Sequence, residues 1–374
     1  MFMQQDDANK QIHYNIYWSV FHYHFNLGFG SPATDVCSTC VSYKLKAKQE
    51  SITPEEKAML ITSLEVHRRK ARMFYTKLNT PVDDSLTICF DLMENLPLPR
   101  TPIGQAYYSR QLYVYVFGVV IHSGIQSSQS LNEVLLYTWR EDQNKKDSNV
   151  VASAINHALL NPLAAKMTAA KTLRLFSDSC FGQNKNMAMM TMLMSHIARR
   201  HRTRTKLGIE YTFPVRGHSY LPADRVFGRV EQDIRKKGQI ILPSTYLEIL
   251  KRHGTVFEYG KDWQVHDIKK EVKRLTKTAR SFKLSEAREI KLANTNLLIR
   301  DSYNGVFKEH SVLKRGQSIS TFNPPLLPPK SYVKDAKKRD VRSLLLNLGV
   351  GADVTELYDE MLQTPSNNTD SESE

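Results

Sequence analysis

The run QLYVYVFGVVI at residues 111–121 constrains the fold more than any other part of the sequence. It is β-branched and aromatic, the strongest strand signal in the chain, and such a strand needs sheet neighbours for its backbone groups. Neighbours are at hand. SLTICFDLM at 85–93 is a short apolar run, and EVLLYTW at 133–139 reads as the next strand. Helical spacing follows at Val150 to Leu160, then a strand TLRLF at 172–176. A Met- and Ala-rich helix from Asn186 to Arg199, a strand EYTFPV at 210–215 and a helix from Ala223 to Lys236 complete the series. The methionines at 187, 189, 190, 192 and 194 read as that helix's packing face.

The order is β, β, β, α, β, α, β, α. Short loops join the first three strands, which predicts an antiparallel meander; strands alternating with helices predict parallel crossovers. This is an α/β chain with the element order of a ribonuclease H-like fold, a mixed sheet with flanking helices.

Smaller segments surround this core at 81–240. Residues 1–80 form a helical segment carrying Cys37-x-x-Cys40, with a short aromatic helix at 11–28, turn chemistry at 31–35 and a helix at 54–79. Thr53 suits the N-cap of that helix, Pro54 its first position, and Leu60, Leu64 and Ala71 its apolar face. Residues 241–322 read as a small, basic, strand-rich module with strands near 255–259, 263–265, 297–300 and 305–307. A Pro-rich connector and a helix at 334–348 fill 323–363, and an acidic tail at 364–374 has disordered composition. Folded-looking sequence begins almost at once, so a DNA-recognition domain upstream of Met1 fits the reading.

Charge narrows the partner. Lys and Arg number 52 against 38 Asp and Glu, a net +14, and no basic residue follows Arg342. This excess favours a polyanion, nucleic acid first. No apolar run is long enough for a membrane helix, and four cysteines are too few for a disulfide scaffold.

Three acidic segments fall where a ribonuclease H-like sheet carries metal ligands. Asp91 ends the first strand run, Asp178 follows TLRLF, and Asp224 and Glu231 follow EYTFPV. Carboxylates from separate strands can hold two Mg²⁺ (or Mn²⁺) ions about 4 Å apart for phosphoryl transfer. A lone Asp after a strand is more often a turn or cap, so the weight rests on the three together. His218 suits orientation of a phosphate or water, or a structural role. Gln183, Asn184 and Lys185 suit phosphate contact or capping of the next helix.

The strings SDSCFGQNKN at 177–186 and FPVRGHSYLPADRVFGRVE at 213–231 resemble a large, uncharacterised family of transposase-like proteins of invertebrate genomes. Its early strand pattern is similar to Tyr107–Gly118, its Y.W.E segment to Tyr137–Glu141, and its D.C..C to Asp35, Cys37 and Cys40. The resemblance covers about residues 25–345. It implies a DDE-type transposase core, intact or domesticated, with Asp91, Asp178 and Asp224 or Glu231 as metal ligands. It further implies a DNA substrate and, by analogy with such transposases, a homo-dimer; nuclear location follows from that substrate and the basic charge.

Cys37 and Cys40 are half a zinc site. His67 suits the third ligand, and His22, His24, Asp35 or an upstream residue the fourth; two free thiols are the alternative. Cys89 and Cys180 read as packing near the acids. Arg199, Arg200, Arg202 and Arg204 form one basic stretch, and Lys269, Lys270, Lys273, Arg274, Lys277 and Arg280 line a helix expected at 269–283. Both suit phosphate contacts of low sequence preference. Three functions stay open: a metal-dependent strand transferase or nuclease, a catalytically inactive DNA binder, and a chromatin adaptor built on the 250–310 segment.

Overall fold

The strand centred on Phe117 lies inside a ten-stranded mixed sheet. The structure is a computed structural model and describes residues 13–25, 36–124, 130–203, 206–328 and 332–363. Arg204, Asp35, the 31–35 turn and the acidic tail at 364–374 therefore lie outside the described residues.

Three helices lead in: α1 (Tyr14–His24), α2 (Ser38–Lys46) and α3 (Pro54–Asn79). The start of α3 follows its sequence. Thr53 Oγ1 accepts from the Glu56 amide, the Glu56 carboxylate accepts from the Thr53 amide, and Pro54 needs no partner for a missing N–H. Its buried contacts are Ala71, Phe74 and Leu78, all in its second half.

The central sheet then forms. In chain order come β1 (Ser85–Leu92), β2 (Leu96–Leu98), α4 (Gly104–Tyr108), β3 (Leu112–Ile121) and β4 (Val134–Arg140). Next are α5 (Ser148–Leu160), α6 (Ala164–Ala169), β5 (Thr172–Ser177), α7 (Met187–Arg202), β6 (Gly208–Thr212) and α8 (Pro222–Arg235). β3 pairs antiparallel with β1 and β4, while β1, β5 and β6 run parallel. The order β6-β5-β1-β3-β4 is the ribonuclease H-like arrangement expected from the element order. Helices α5 to α7 supply the crossovers that parallel strands require.

The rest of the chain is α9 (Pro243–Lys251), β7 (Thr255–Glu258), α10 (Ile268–Leu275), β8 (Glu289–Leu292), β9 (Asn296–Arg300), β10 (Lys308–Ser311), α11 (Asp335–Leu348) and α12 (Ala352–Leu362). β7 pairs parallel with β4, and β8, β9 and β10 continue antiparallel from β6. The strands expected near 255–259 and 297–300 thus extend the two edges of one sheet, whereas the one expected at 263–265 is only an isolated bridge between Tyr259 and Trp263. Other boundaries also differ from the sequence reading. β6 stops at Thr212, because Pro214 has no N–H for a ladder. Gly305–Phe307 precedes the strand, with the Phe307 ring under Arg300 and Lys291. The basic helix ends at Leu275, where the Lys277 amide turns to the Val312 carbonyl, so Lys277 and Arg280 leave its face.

Alternation along β1 sorts its side chains. Leu86, Ile88 and Phe90 enter the core beneath α5 and α7. Cys89 joins Phe74 and Phe176 under α3, and Asp91 shares that opposite face. Across from Asp91 stands Gly118 of β3. A Cβ there would lie 2.9 Å from the Phe227 ring of α8, so the bare glycine lets α8 seat directly over the end of β1. Gly118→Val should therefore cost about 1–3 kcal/mol of stability by overpacking. Urea unfolding measures this, and a neutral result would mean that α8 is not seated there.

Candidate functional site

Three elements bring acids to one end of the sheet. Asp91 is the penultimate residue of β1, and its Oδ1 accepts from the Leu92 amide at 2.7 Å. Asp178 directly follows β5. Its Oδ1 accepts from the Cys180 amide at 3.2 Å and from the Asn184 side-chain amide. The turn after it closes on the Cys180 carbonyl, which receives the amides of Gln183, Asn184 and Lys185. Asp224 lies in the first turn of α8, behind Pro222, and accepts from the Leu221 amide at 2.6 Å. An acid there also meets the positive end of the helix dipole.

The three carboxylates feel one another. Burial pushes the Asp91 carboxyl up to about 8, and the charges of Asp178 and Asp224 add to the rise. Lys146, in the loop before α5, opposes it. The Lys146 ammonium donates to Asn95 Oδ1 at 3.0 Å and sits 5.8 Å from the Tyr115 ring centroid. Burial lowers its pKa against the upward pull of Asp91, Cys180 and Asp178. Burial and Asp178 together raise the Cys180 thiol, which disfavours a thiolate. Glu231, two turns along α8, pairs instead with Arg235 at 3.6 Å. Asp91, Asp178 and Asp224 offer oxygens only, the donor type of Mg²⁺ and Mn²⁺; among the described residues the one group whose ligand atoms all lie within 4.8 Å of one another is a different one.

A second constellation lies beside the first. The sulfurs of Cys37 and Cys40 and the Nε2 atoms of His67 and His218 cluster with all ligand atoms within 4.8 Å. Cys37 Sγ is 3.3 Å from His67 Nε2, Cys40 Sγ 3.5 Å from His218 Nε2, and the two Nε2 atoms 3.0 Å apart. Ligands bound at 2.0–2.3 Å around a tetrahedral zinc stand about 3.3–3.8 Å from one another, so this group could bind zinc. Desolvation lowers both imidazoles, which favours the neutral form that ligates a metal. The backbone is shaped for it: Gly217, at φ +78°, carries no Cβ that would fall 2.9 Å from Cys37 Cβ.

Of the two roles open to His218 in the sequence, this arrangement matches the structural one. His218 faces sulfur and imidazole in the Cys/His group, six residues before Asp224. The expected alternatives His22 and His24 lie on α1, which buries no residue. The fourth position was missed because His218 stands 178 residues from Cys40, and only β6 and the loop after it close that gap.

The basic candidates scatter. Lys185 is buried, with Nζ donating to the Ser285 and Ala287 carbonyls at 3.0 and 2.6 Å and lying 4.6 Å from the Phe213 ring centroid. A phosphate contact from it would break that set. Arg200 donates to the carbonyls of Met167, Thr168 and Ala170, closing the end of α6, and Arg202 reaches Ser320. With Arg199 they sit at the far end of α7, about 20 Å along its axis from the Asp178 turn. Lys269 pairs with Asp147 at 2.5 Å, Arg274 grips Glu271 and Thr321, and Lys277 meets Ser311. Lys270 and Lys273 are exposed on α10. Lys146 was absent from the candidates, although the KK pair in EDQNKKDS was a visible signal.

A sequence profile described as a domain of unknown function (DUF7869) matches residues 105–301. That span holds Asp178, Asp224, His218 and Lys146, while Asp91, Cys37, Cys40 and His67 lie upstream of it. No curated protein matches the chain. Among solved structures, it is similar to the manganese-soaked nuclease domain of the human cytomegalovirus terminase, at 15% identity, 53% of this chain, 76% of that chain and a TM-score of 0.20. The inhibitor-bound form of the same domain gives 14% identity, 55% and 84% coverage and a TM-score of 0.21. Endonuclease V of Ciona intestinalis, in complex with a 24mer DNA containing an inosine followed by a ribo-adenosine, gives 10% identity, 79% and 100% coverage and a TM-score of 0.17. Likenesses this slight carry no functional argument.

Two outcomes are expected from the geometry. Purified protein should hold one zinc per chain by elemental analysis. Cys40→Ser and His218→Ala should lose it together with at least about 3 kcal/mol of stability, while His22→Ala and His24→Ala keep it. Zinc retained in His218→Ala would disprove this ligand set. For Asp91, the folded value of about 8 lies above the ordinary 3.8, so the unfolded chain gives up its proton first. Stability present below pH 3.8 is then lost as pH rises through about 8. Asp91→Asn removes that loss. Without added divalent cation it should exceed wild type by about 1–3 kcal/mol at pH 8.5 and match it near pH 4. Urea titrations across pH would show a constant difference if the carboxyl were unperturbed.

Proposed function

The chain belongs to the DUF7869 family, and from its three convergent carboxylates we propose that it is a divalent-metal-dependent nuclease acting on DNA by phosphoryl transfer, with a DDE-type transposase core. The observation that carries this is that Asp178 at the end of β5 and Asp224 at the start of α8 both act on the charge of Asp91 in β1. A divalent cation bound there supplies Lewis-acid stabilisation of the charge that develops on the phosphoryl group.

The chain's own residues do the rest. Asp91 and Asp178 end adjacent parallel strands, so the sheet fixes their separation. Asp224 is the third ligand in this reading; Glu231 is turned to Arg235. Asn184 orients Asp178 through its side-chain amide. Lys146 offsets one carboxylate charge and places an ammonium where a non-bridging phosphate oxygen can meet it. The net charge of +14 supports a polyanionic substrate. Transposition, a homo-dimer and nuclear location rest on the resemblance of SDSCFGQNKN and GHSYLPADRVFGRVE and share the same phosphoryl chemistry.

Nicking of supercoiled plasmid with Mg²⁺ or Mn²⁺ tests the reading. Asp91→Asn, Asp178→Asn and Asp224→Asn should each lose about 100-fold or more, and Glu231→Gln should stay within a few-fold of wild type. Salt-sensitive DNA binding without any metal-dependent cleavage would instead identify an inactive binder.

A further inference from the structure

Two aromatic rings flank the acids and are left in water. Phe181 follows Asp178 by three residues and is 64% exposed; Tyr220 precedes Asp224 by four and is 58% exposed. Single exposed aromatics are common, but these stand on backbone that is tightly held. The Phe181 carbonyl accepts from Asn186 Nδ2 at 3.0 Å, and the turn beyond it is anchored by the Cys180 carbonyl, by the Asn184–Asp178 bond and by buried Lys185. Tyr220 lies between two fixed points. His218 belongs to the Cys/His group, and its carbonyl accepts from Tyr75 Oη at 3.1 Å. Leu221 is fully buried, and its amide is held by Asp224. The backbone that carries both rings is therefore fixed before any ligand arrives, which lowers the cost of presenting them.

We propose that Phe181 and Tyr220 are stacking platforms for unpaired nucleobases on either side of the scissile phosphate, so that the substrate class is single-stranded or locally unpaired DNA. The inference rests on the nuclease reading above. A flat aromatic face offers a base what a phosphate cannot use, and it offers it only to bases out of the duplex stack. Arg225 lies 5.8 Å from the Tyr220 ring centroid and brings a guanidinium for the adjoining phosphate or base. The rings share loops with the acids, so a base stacked on either is within a few residues of the reacting phosphate.

The test is binding of a labelled 20-nucleotide single strand and of its duplex, by fluorescence anisotropy with Ca²⁺ in place of Mg²⁺ and over a range of salt. Wild type should prefer the single strand. Phe181→Ala and Tyr220→Ala should each weaken it about 5- to 100-fold while leaving duplex binding and the salt slope unchanged. Tyr220→Phe should retain affinity, and Phe181→Leu, apolar but without a π face, should not. Both side chains are exposed, so thermal unfolding of the variants should match wild type. Salt-sensitive binding that ignores all four substitutions would overturn the stacking proposal and leave the nuclease reading standing. Binding to neither form of DNA would overturn both.

Discussion

Like charges brought together inside a folded protein repel, and the architecture around Asp91 is arranged to hold that repulsion in place. Burial and the two neighbouring carboxylates drive the Asp91 carboxyl to about 8. In water the three acids would separate; here each is tied to backbone that cannot move alone. Asp91 sits in a strand paired on both sides, Asp178 is gripped by the turn that starts α7, and Asp224 accepts the amide that starts α8. Lys146 is the near counter-charge, and its own pKa is lowered by burial against the pull of Asp91 and Asp178.

The supports are spread through the chain. Gly118 admits Phe227, and with it α8, over the acidic end of β1. The Cys/His group ties the α2–α3 segment to the loop that leads into Asp224, so the N-terminal helices brace the third carboxylate. Arg174 adds a second tie: from β5 its guanidinium donates to the carbonyls of Lys77 and Thr80, closing the end of α3. Lys185 pins the Asp178 turn to the 285–287 segment ahead of β8. Cations that look like phosphate contacts in the sequence are in several cases internal fasteners, each satisfying carbonyls that would otherwise be left unpaired.

Much of the architecture was legible because it is local. Period and composition marked β1, β3, β4 and β5, and the capping chemistry of Thr53, Pro54 and Glu56 marked α3 to the residue. The elements β2, α4, α6, α9, β8 and β10 escaped, most of them too short to carry a period, and so did the helices α2 and α12. The basic helix was drawn too long because charge spacing continued past Leu275 while the backbone had already turned to pair with Val312. His218 could not be assigned from its own segment, because its partners Cys40 and His67 lie on α2 and α3.

By itself, the sequence determined the main strands and helices of the core, their order, the ribonuclease H-like class and the acids that follow its strands, because strand alternation and helix period are encoded residue by residue. The tertiary structure alone shows that Asp178 and Asp224 both act on the charge of Asp91 while Glu231 pairs with Arg235, that Lys146 offsets them, and that His218 stands in the Cys/His group. Those facts depend on distances between residues far apart in the chain, and such distances are fixed by sheet pairing and helix seating, which no spacing along the sequence expresses.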